Sequence, residues 1–402
     1  MFRAYRFRLY ANKDQKILLE KHFGSCRFVW NHFLALRNEV YTKTGKGMSQ
    51  YEMSALLPQL KSENNWLKEV NAQSLQASIQ FLDRAFHRFF KKMAGYPKFK
   101  KKGHGRSFTV PQYFTINDNH LTIPKFDMPI RMFAHRKIEG KVKNLTISKT
   151  PAGKYYVSVI AEIEMEKPTP EEVSAGTSTG IDVGITAFLT TSEGVQIPNP
   201  KNLRKSEKKI ALLQRRLSRK QKGSNNRNKA RIKVAKIQEH IANQRMDFHN
   251  KTSDAILKVY DTVITEDLNV SGMMKNHHIA KSMGDAGWSS FMTMLKAKAL
   301  SRGKNIIEIG RFDPSSKMCS HCGYVYNLKL SERRWICPEC GTIHDREWNA
   351  AKNIKKFGLI KTGIPTDSGE FTPVDRSIDT LSLLAREGIG QVHWLKQEDH
   401  AL

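Results

Sequence analysis

The first hundred residues change from a strand pattern to helix patterns. Residues 2–10 alternate apolar and basic side chains, which is typical of a strand at the edge of a sheet. From about residue 12 to 41, apolar residues recur at helical spacing, and a second helix is predicted to begin at Ser49 because Ser49-Gln-Tyr-Glu fits a capping box. A third helix is expected over about 72–92, with one apolar face and a basic end. Residues 11–105 are therefore predicted to form a basic helical unit.

The pattern becomes β-like over residues 107–165. The segments LTISKT and KYYVSVIAEIE flank the sequence PAG, and this order predicts a hairpin, because glycine adopts turn conformations that other residues resist. The stretch EKPTPEEVSAGTSTG follows, and its Pro, Ser, Thr and Gly content predicts the main linker of the chain at 166–178.

Strand-like and helix-like segments alternate after this linker. Residues 201–250 contain two basic helical runs separated by KGSNNRN, which predicts an antiparallel helical hairpin, followed by a separate helix at about 250–260. Strands are expected in STGIDVGITAFLTT, DTVITEDLNV and NIIEIG, with a helix after Gly287. Residues 361–402 have weak periodicity and are expected to be mobile. The pattern as a whole predicts a multidomain α+β protein.

Composition adds a polyanionic partner to this outline. The chain has 402 residues, which favours two or three domains, and its 67 Lys and Arg against 38 Asp and Glu give a net charge of +29. Few acids interleave with the bases of 201–250, so phosphate contact is favoured there over a hairpin of self-paired charges. No apolar run approaches the roughly 18 residues of a membrane helix, and the N-terminus lacks a secretory apolar region. These features argue against a membrane or a secreted protein.

Four of the five cysteines form two CxxC pairs, Cys319/Cys322 and Cys337/Cys340. Two such knuckles place four thiolates around one Zn²⁺, and a glycine after each pair provides a tight turn. A redox dithiol is the alternative, but two matched pairs disfavour it. Because four cysteines leave no open coordination position, the predicted zinc is structural. The fifth, Cys26, is expected to be a small buried hydrophobic residue.

Three acidic residues, far apart in the sequence, are candidate ligands of divalent metal ions. Asp182 lies in the apolar segment GIDVGI, where a buried carboxylate is costly without a cation and where small neighbours leave room for a metal and a phosphate. Glu266 ends an apolar strand, although such a residue is often a surface charge, and Asp267 should face the opposite side. Asp345 precedes a predicted helix and fits an N-cap equally well. Carboxylates suit Mg²⁺ or Mn²⁺, and two ions about 3.5–4 Å apart could cleave a phosphodiester.

These segments also resemble a known family. GIDVGI, ITEDLNV and a CxxC–CxxC ribbon running into HDREWNAAKNI resemble the RuvC-like nuclease region of TnpB proteins, which are encoded by insertion sequences of bacteria and archaea and related to type V CRISPR nucleases. Further matching segments extend the resemblance over about residues 1–358: GSCRFVWNHFLALR, LQASIQFLDRAFHRFFKK, GYPKFKKK, MMKNHHIAKSMGDAGW and FDPSSKMCSHCG. The chain departs from the family where Asp345-Arg is followed by Glu347 in place of the common Asp.

The resemblance implies an RNA-guided DNA endonuclease with an RNase H-like (RuvC-like) core, acting in the cytoplasm of a bacterium or archaeon. Its partners would be a transposon-encoded guide RNA and double-stranded target DNA with a short flanking motif. The motif match makes Asp182, Glu266 and Asp345 the catalytic residues and the ligands of two Mg²⁺ ions, beside one structural Zn²⁺ on the four cysteines.

The resemblance also implies a domain layout. The expected domains are a β-barrel wedge domain (1–10 and 106–168), a helical recognition domain (11–105), a RuvC-like nuclease domain (176–312 and 344–360) and a zinc ribbon that binds target nucleic acid (313–343). Candidate nucleic-acid contacts, for which ordinary exposed polar residues are the alternative reading, are Tyr51, Gln73, Gln76, Arg84, Lys98, Arg215 and Arg219, with Ser74 considered beside them.

Two other functions compete with the guided nuclease. An RNA-guided DNA-binding repressor would not need the three acidic residues. A transposase or junction-resolving nuclease that works without RNA would not need so large a basic helical hairpin and N-terminal half.

Overall fold

Two units make up the chain, Met1–Glu166 and Lys167–Leu402, and each has its own sheet and apolar core. The structure is a computed structural model, and it describes residues 2–103, 105–164, 171–329, 331–364 and the backbone of 393–394.

The first unit contains a seven-stranded antiparallel sheet that curls into a half-barrel. Its strands, in the spatial order β2-β6-β7-β1-β5-β4-β3, are β1 (Phe2–Tyr10), β2 (Ser107–Val110), β3 (Thr115–Asn117), β4 (His120–Thr122), β5 (Ile130–Phe133), β6 (Lys141–Lys149) and β7 (Tyr155–Glu162). The hairpin predicted around PAG is confirmed, with Lys149 opposite Tyr155 and Gly153 at φ +86° in the turn.

The prediction that the first strand lies at a sheet edge is wrong. Strand β1 pairs with β7 on one side and with β5 on the other. Its alternation arises because Tyr5, Phe7 and Leu9 point into the core while the arginines between them cover the other face. An alternating pattern thus indicates that one face of the sheet is solvated. It does not distinguish an edge strand from an interior strand, because both have a solvated face in such an antiparallel sheet.

Four α-helices accompany this sheet: α1 (Lys13–Thr44), α2 (Gln50–Ala55), α3 (Leu57–Glu63) and α4 (Ala72–Phe90), with a 3₁₀ turn at Asn65–Glu69. The predicted capping box at Ser49 is confirmed, and Asn12 forms a second one with Gln15. Cys26 is buried in α1, where its thiol contacts the carbonyl of Ser74 at 3.4 Å, and burial raises its pKa to about 11. The expectation of a buried apolar role for Cys26 is confirmed.

The second unit contains a six-stranded mixed sheet in the order β12-β11-β8-β9-β10-β15, and a two-stranded ribbon of β13 and β14. The strands are β8 (Ser178–Val183), β9 (Ala187–Thr191), β10 (Val195–Pro198), β11 (Thr262–Glu266), β12 (Asn305–Ile309), β13 (Arg334–Ile336), β14 (Ile343–Asp345) and β15 (His393–Trp394). Strands β8, β11 and β12 are mutually parallel, with Ile181 opposite Thr265. The carboxyl ends of β8 and β11 therefore lie side by side.

The helices of this unit are α5 (Asn202–Ser218), α6 (Asn225–Val259), α7 (Val270–Met273), α8 (His277–Ala286), α9 (Trp288–Arg302) and α10 (Arg346–Lys361). Helices α5 and α6 pack against each other, as the hairpin pattern predicts. The separate helix expected at 250–260 is wrong, because α6 runs unbroken for 35 residues. Its sequence contains neither glycine nor proline to interrupt it.

Two predicted segments fall largely outside the described residues. The linker expected at 166–178 includes 166–170, and the tail expected at 361–402 includes 365–392 and 395–402, none of which the structure describes. Helix α10 extends into the start of that tail. Within the described part of the chain, no helix is both long enough and apolar enough to cross a membrane.

Candidate active site and metal centre

Asp182 occupies the carboxyl end of β8 and is the most strongly perturbed acid of the second unit. Burial of its carboxyl group is the largest cause that raises its pKa, and the negative charges of Glu266, Glu347 and Asp345 act in the same direction. The positive charge of Arg346 lowers this pKa, and the net result is a pKa of about 8. Three acids from two distant segments of the sequence therefore act on the carboxyl group of Asp182, and a perturbed acid with such neighbours suits a bound cation.

Glu266 ends the neighbouring strand β11 and is the acid that acts most strongly on Asp182. The hydroxyl of Ser315 donates a hydrogen bond to its carboxylate. Asp267 instead forms an ion pair with Arg311 at 2.6 Å and is not among the largest causes that shift the pKa of Asp182. The opposite facing of Glu266 and Asp267, expected from strand geometry, agrees with these partners.

Asp345 ends β14 and caps helix α10, where its Oδ1 accepts the backbone N–H of Trp348 at 3.0 Å. The two sequence readings of Asp345, N-cap and member of an acidic site, therefore both apply. Glu347 acts more strongly on Asp182 than Asp345 does, and it forms an ion pair with Arg333. Sequence reasoning gave Glu347 too little weight, because a helical spacing of two residues separates the faces of positions 345 and 347.

The acidic side chains are near one another without being gathered into a ligand set. Among the described residues, the four cysteines are the only group of three or more Cys, His, Asp or Glu side chains whose ligand atoms all lie within 4.8 Å of one another. The carboxylates at positions 182, 266, 345 and 347 are thus more widely spaced than the ligands of one bound ion.

Gly180 and Gly184, on either side of Asp182, are required by packing and not by space for a ligand. A Cβ atom at residue 180 would lie 2.2 Å from the carbonyl oxygen of Ala351, and one at residue 184 would lie 2.9 Å from that of Ala187. Helix α10 and strand β9 already occupy the space beside these glycines. The expectation that they leave room for a metal and a phosphate is therefore wrong, since close packing of the backbone requires them.

The four cysteines of the two CxxC pairs converge into one cluster. The Sγ atoms of Cys319 and Cys340 are 3.7 Å apart, and those of Cys322 and Cys337 are 3.5 Å apart. A tetrahedral zinc with Zn–S bonds of about 2.3 Å separates its sulfurs by roughly 3.8 Å, so the donor set fits such an ion. The cluster could hold a structural metal.

The local backbone explains how the cysteines converge. Gly323 and Gly341 have φ of +82° and +72°, and their N–H groups bond the carbonyls of the first cysteine in each knuckle. The backbone N–H of Cys322 points at Sγ of Cys319 at 3.5 Å. The turn role that the sequence predicts for both glycines is confirmed.

His344, Asn349 and Asn353 connect this cluster to the acidic residues, and sequence reasoning missed all three. Nε2 of His344 lies 3.0 Å from Sγ of Cys319, one residue before Asp345. The Asn349 side chain accepts from the N–H of Ser320 at 2.9 Å, and the Asn353 side chain donates to the carbonyl of Ser315 at 2.7 Å. Two asparagines four residues apart in a helix were the available signal, because asparagine is a poor helix former.

Glu193, at the turn between β9 and β10, is a fourth residue that sequence reasoning missed. Its carboxylate accepts hydrogen bonds from Thr179 at 2.6 Å, Ser192 at 2.7 Å and Tyr260 at 3.1 Å, and it pairs with Lys355 at 3.2 Å. These partners join β8, the end of α6 and α10. An acid in the short sequence SEG reads as solvated, so the sequence carries no signal for this role.

Most of the candidate nucleic-acid contacts are exposed side chains. Tyr51 is 82% exposed, and the exposed class also contains Gln76, Arg84, Lys98, Arg215 and Arg219. Gln73 is half-buried and donates to Gln112 at 3.4 Å. Ser74 is 1% exposed, so the reading of Ser74 as a free polar contact is wrong.

Three family models match the chain. A model described as "Probable transposase" (OrfB of IS605) matches residues 160–277, a "Cas12f1-like, TNB domain" model matches 288–354, and a "Helix-turn-helix domain" model matches 1–46. The last match covers β1 and the single long helix α1 in this chain.

Relatives with assigned names extend over most of the chain. A protein of Streptomyces pristinaespiralis described as "Putative RNA-guided DNA endonuclease" is 37% identical over 364 residues, which are 89% of each chain. A protein of Escherichia coli K12 described as "Putative RNA-guided DNA endonuclease InsQ" is 32% identical and covers 91% of this chain and 95% of its own. A solved cryo-EM structure of a Cas12f1–sgRNA–target DNA complex aligns with 85% of this chain and 83% of its own, at 15% identity and a TM-score of 0.49.

Proposed function

The chain belongs to the TnpB family of insertion-sequence proteins, and on that premise we propose that it is an RNA-guided DNA endonuclease. The observation that carries the proposal is that Glu266, Asp345 and Glu347 lie near enough to Asp182 for their negative charges to raise its pKa. Neutral Asp182 is a weak ligand, and a divalent cation beside it would favour the carboxylate.

Asp182, Glu266 and Asp345 would hold two Mg²⁺ or Mn²⁺ ions, with Glu347 as a further ligand. The donor set fits, because hard carboxylate oxygens are the ligands that these ions take. The ions supply activation of the attacking water and stabilisation of the leaving oxygen of the phosphodiester.

The surrounding residues orient these acids. Ser315 donates to Glu266, and Asn353 holds the carbonyl of Ser315, so the orientation of the Glu266 carboxylate depends on α10. The capping bond to Trp348 fixes Oδ1 of Asp345 and leaves its second oxygen available. Phosphodiester hydrolysis needs carboxylates held in fixed positions, and the residues that hold them do not have to recognise the DNA sequence.

Specificity would come from a transposon-encoded guide RNA that pairs with the target, next to a short motif in double-stranded DNA read by the protein. In this proposal the sequence-derived domains keep their roles. They are the wedge domain at 1–10 and 106–168, the recognition domain at 11–105, the RuvC-like nuclease domain at 176–312 and 344–360, and the nucleic-acid-binding zinc ribbon at 313–343.

A matched pair of neighbouring substitutions tests the proposal. The full chain is co-expressed with RNA from the end of its insertion sequence and supplied with Mg²⁺ and a plasmid that carries the guide-matched target. Glu266→Gln is expected to abolish cleavage while guide and target binding persist. Asp267→Asn removes the adjacent charge, which is already paired with Arg311, and this variant is expected to cleave like the wild type.

Binding without cutting by the wild-type chain would support the repressor instead. RNA-free protein that cuts branched DNA unaided would support the junction-resolving nuclease. Equal cleavage by the two variants would remove Glu266 from the proposed ligand set.

A further inference from the structure

Gly24 lies inside helix α1, and no contact with the rest of the described unit requires a glycine at this position. Glycine is the poorest helix former after proline, so a glycine within a helix normally lets another group approach closely. A methyl group at residue 24 would meet no atom within 4 Å, whereas one at Gly180 or Gly358 would lie 2.2 or 2.3 Å from a neighbouring atom. The missing side chain therefore leaves open space on the surface of α1, and no described part of the unit fills it.

Two clefts meet at this position. One is lined by Phe28 and Trp66, and the other by residues of α1, the end of β6, the start of β7 and the loop before β2. Lys21, Gly24 and Arg27 line both clefts. Gly24 therefore lies where the linings of the two clefts overlap, and we call the two clefts together the path.

The acids along this path are already paired. Glu20 accepts from Lys149 at 2.5 Å and from Arg106 at 3.2 Å, and although burial opposes it, these cations lower the pKa of Glu20. Glu69 forms an ion pair with Lys21. The carboxylates of Glu20 and Glu69 are therefore already neutralised by these partners and do not compensate the other cations of the path.

Three cations of the path remain uncompensated. Lys16, Arg27 and Lys102 form no ion pair or side-chain hydrogen bond within the described ranges 2–103 and 105–164. Lys16 and Arg27 lie on one face of α1, because eleven residues are close to three helical turns, and Gly24 lies about 80° or less around the helix from each of them. A row of unpaired cations beside an open backbone surface fits a chain of phosphate groups.

Trp66 adds an aromatic surface at one end of the path. It is 43% exposed, and its ring packs edge-on against Phe28 at 5.0 Å. Exposed aromatic rings bind unpaired bases by stacking.

We propose that a single-stranded stretch of nucleic acid crosses α1 at Gly24, with phosphates on Lys16, Arg27 and Lys102 and a base on Trp66. The inference rests on the proposed function, which supplies two sources of such a strand, an unpaired part of the guide RNA and the displaced strand of the target DNA. A side chain at residue 24 would hold the phosphodiester backbone away from the helix.

The test uses the full chain and two probes. One is the RNA that co-purifies with the wild type, added to RNA-free protein, and the other is a single-stranded DNA oligonucleotide added to the RNA-loaded protein. Affinity is measured over a range of salt concentrations for the wild type, Gly24→Gln, Arg27→Gln and the control Lys43→Gln. Lys43 lies in the last turn of α1, outside both clefts, and is already paired with Glu39 at 2.7 Å.

Gly24→Gln is expected to weaken binding of one probe about tenfold, while the free protein melts at the wild-type temperature or above it, since glutamine is the better helix former. Arg27→Gln is expected to reduce the salt slope for that probe by about 0.7. Lys43→Gln should change neither quantity. Loss with the RNA assigns the path to the guide, and loss with the oligonucleotide assigns it to the displaced strand.

Wild-type affinity of Gly24→Gln and Arg27→Gln for both probes would overturn this inference alone, provided that the wild type cleaves its target. A wild type that retains no RNA and binds neither probe would overturn the inference and the proposed function together.

Discussion

Asp345 uses one carboxyl group for two purposes, and substitutions can separate them. Its Oδ1 caps α10 through the N–H of Trp348, and its charge contributes to the raised pKa of Asp182. Asparagine caps helices as well as aspartate does but carries no charge, whereas alanine lacks both properties.

Asp345→Asn is expected to abolish cleavage without lowering the melting temperature. Asp345→Ala should abolish cleavage and also lose about 1 kcal/mol of stability, because the cap is removed. Thermal melting followed by circular dichroism, together with the plasmid assay, measures both effects. Cleavage by Asp345→Asn at the wild-type rate would exclude Asp345 from the proposed ligand set and leave it only the role of capping α10.

Glu347 is the position at which the resemblance to TnpB proteins leads us to expect an aspartate. Its charge acts on Asp182 more strongly than that of Asp345, although the Glu347 carboxylate also pairs with Arg333. Glutamate is one methylene longer than the expected aspartate, so its carboxylate can pair with Arg333 and still lie near enough to Asp182 to raise its pKa. The substitution therefore keeps a negative charge in the acidic cluster.

His22 is a buried histidine whose neutral form is fixed by its neighbours. Its Nδ1 donates to the carbonyl of Leu18 at 2.8 Å, and its Nε2 accepts the backbone N–H of Asn71 at 3.1 Å. Burial lowers its pKa to about 4. Protonation of Nε2 would break the bond to Asn71 and place an uncompensated charge in the core.

The first unit should therefore lose stability in mild acid. The unfolded chain takes up a proton on His22 near pH 6.5 and the folded chain only near pH 4. The contribution of His22 to stability is therefore constant above about pH 6.5 and falls as the pH decreases to about 4. The loss attributable to His22 is up to about 3 kcal/mol. Hydrogen exchange of α1 amides at pH 7.5 and 5 measures it, and His22→Gln should show a smaller difference between the two pH values. An equal difference in both proteins would contradict the assignment.

At the scale of elements, α10 organises the described part of the second unit. It lies against the backbone of β8 at Gly180 and against Ile264 of β11 at Gly358. Asp345 caps its start, and Asn349 and Asn353 hold the loop that contains Ser315 and the first cysteine knuckle. One helix thus relates the two acid-bearing strands to the cysteine cluster.

Gly180→Ala is expected to destabilise the second unit by about 3 kcal/mol or more, because the new methyl group would lie 2.2 Å from the carbonyl oxygen of Ala351. Gly176→Ala is the matched control, since a methyl group there meets no atom within 4 Å, and it should be neutral. Urea unfolding of the two variants compares them. Equal unfolding midpoints would show that α10 does not pack tightly on β8.

The sequence predicts those parts of this arrangement that depend on local pattern. Alternation, capping boxes and the paired CxxC spacing identify β1, the start of α2 and the cysteine cluster. The meeting of Asp182 and Glu266 follows once β8 and β11 are taken as parallel neighbours. These inferences need only period, chemistry and spacing.

Long-range packing is what local pattern leaves out. The residues next to Gly180 in the sequence do not indicate that helix α10, more than 150 residues later, packs against it. The sequence therefore led to the wrong role for Gly180. The contacts of Glu193 with Tyr260 and Lys355, and the interior position of β1, also depend on long-range packing. Each depends on which distant element is adjacent, and the residue's own neighbours do not encode that.

At the scale of the whole molecule, a net charge of +29 makes phosphate contact the dominant source of affinity in the proposed function. Helix α5 shows this composition in concentrated form. None of its residues is buried, and Arg215 and Arg219 are exposed and form no ion pair among the described residues. Such a helix contributes charge without contributing to the core.

Replacing both Arg215 and Arg219 with glutamine should therefore reduce nucleic-acid binding without reducing stability. Each phosphate contact contributes about 0.7 to 0.9 to the slope of log K against log salt, so the double variant is expected to lower the slope by about 1.5. Its melting temperature should equal that of the wild type, because α5 buries no residue. Lys281→Gln is the control, since Lys281 already pairs with Glu207 of α5 and should release few counterions on binding. Fluorescence anisotropy with the co-purifying RNA measures the slopes, and an unchanged slope in the double variant would exclude α5 from the phosphate-binding surface.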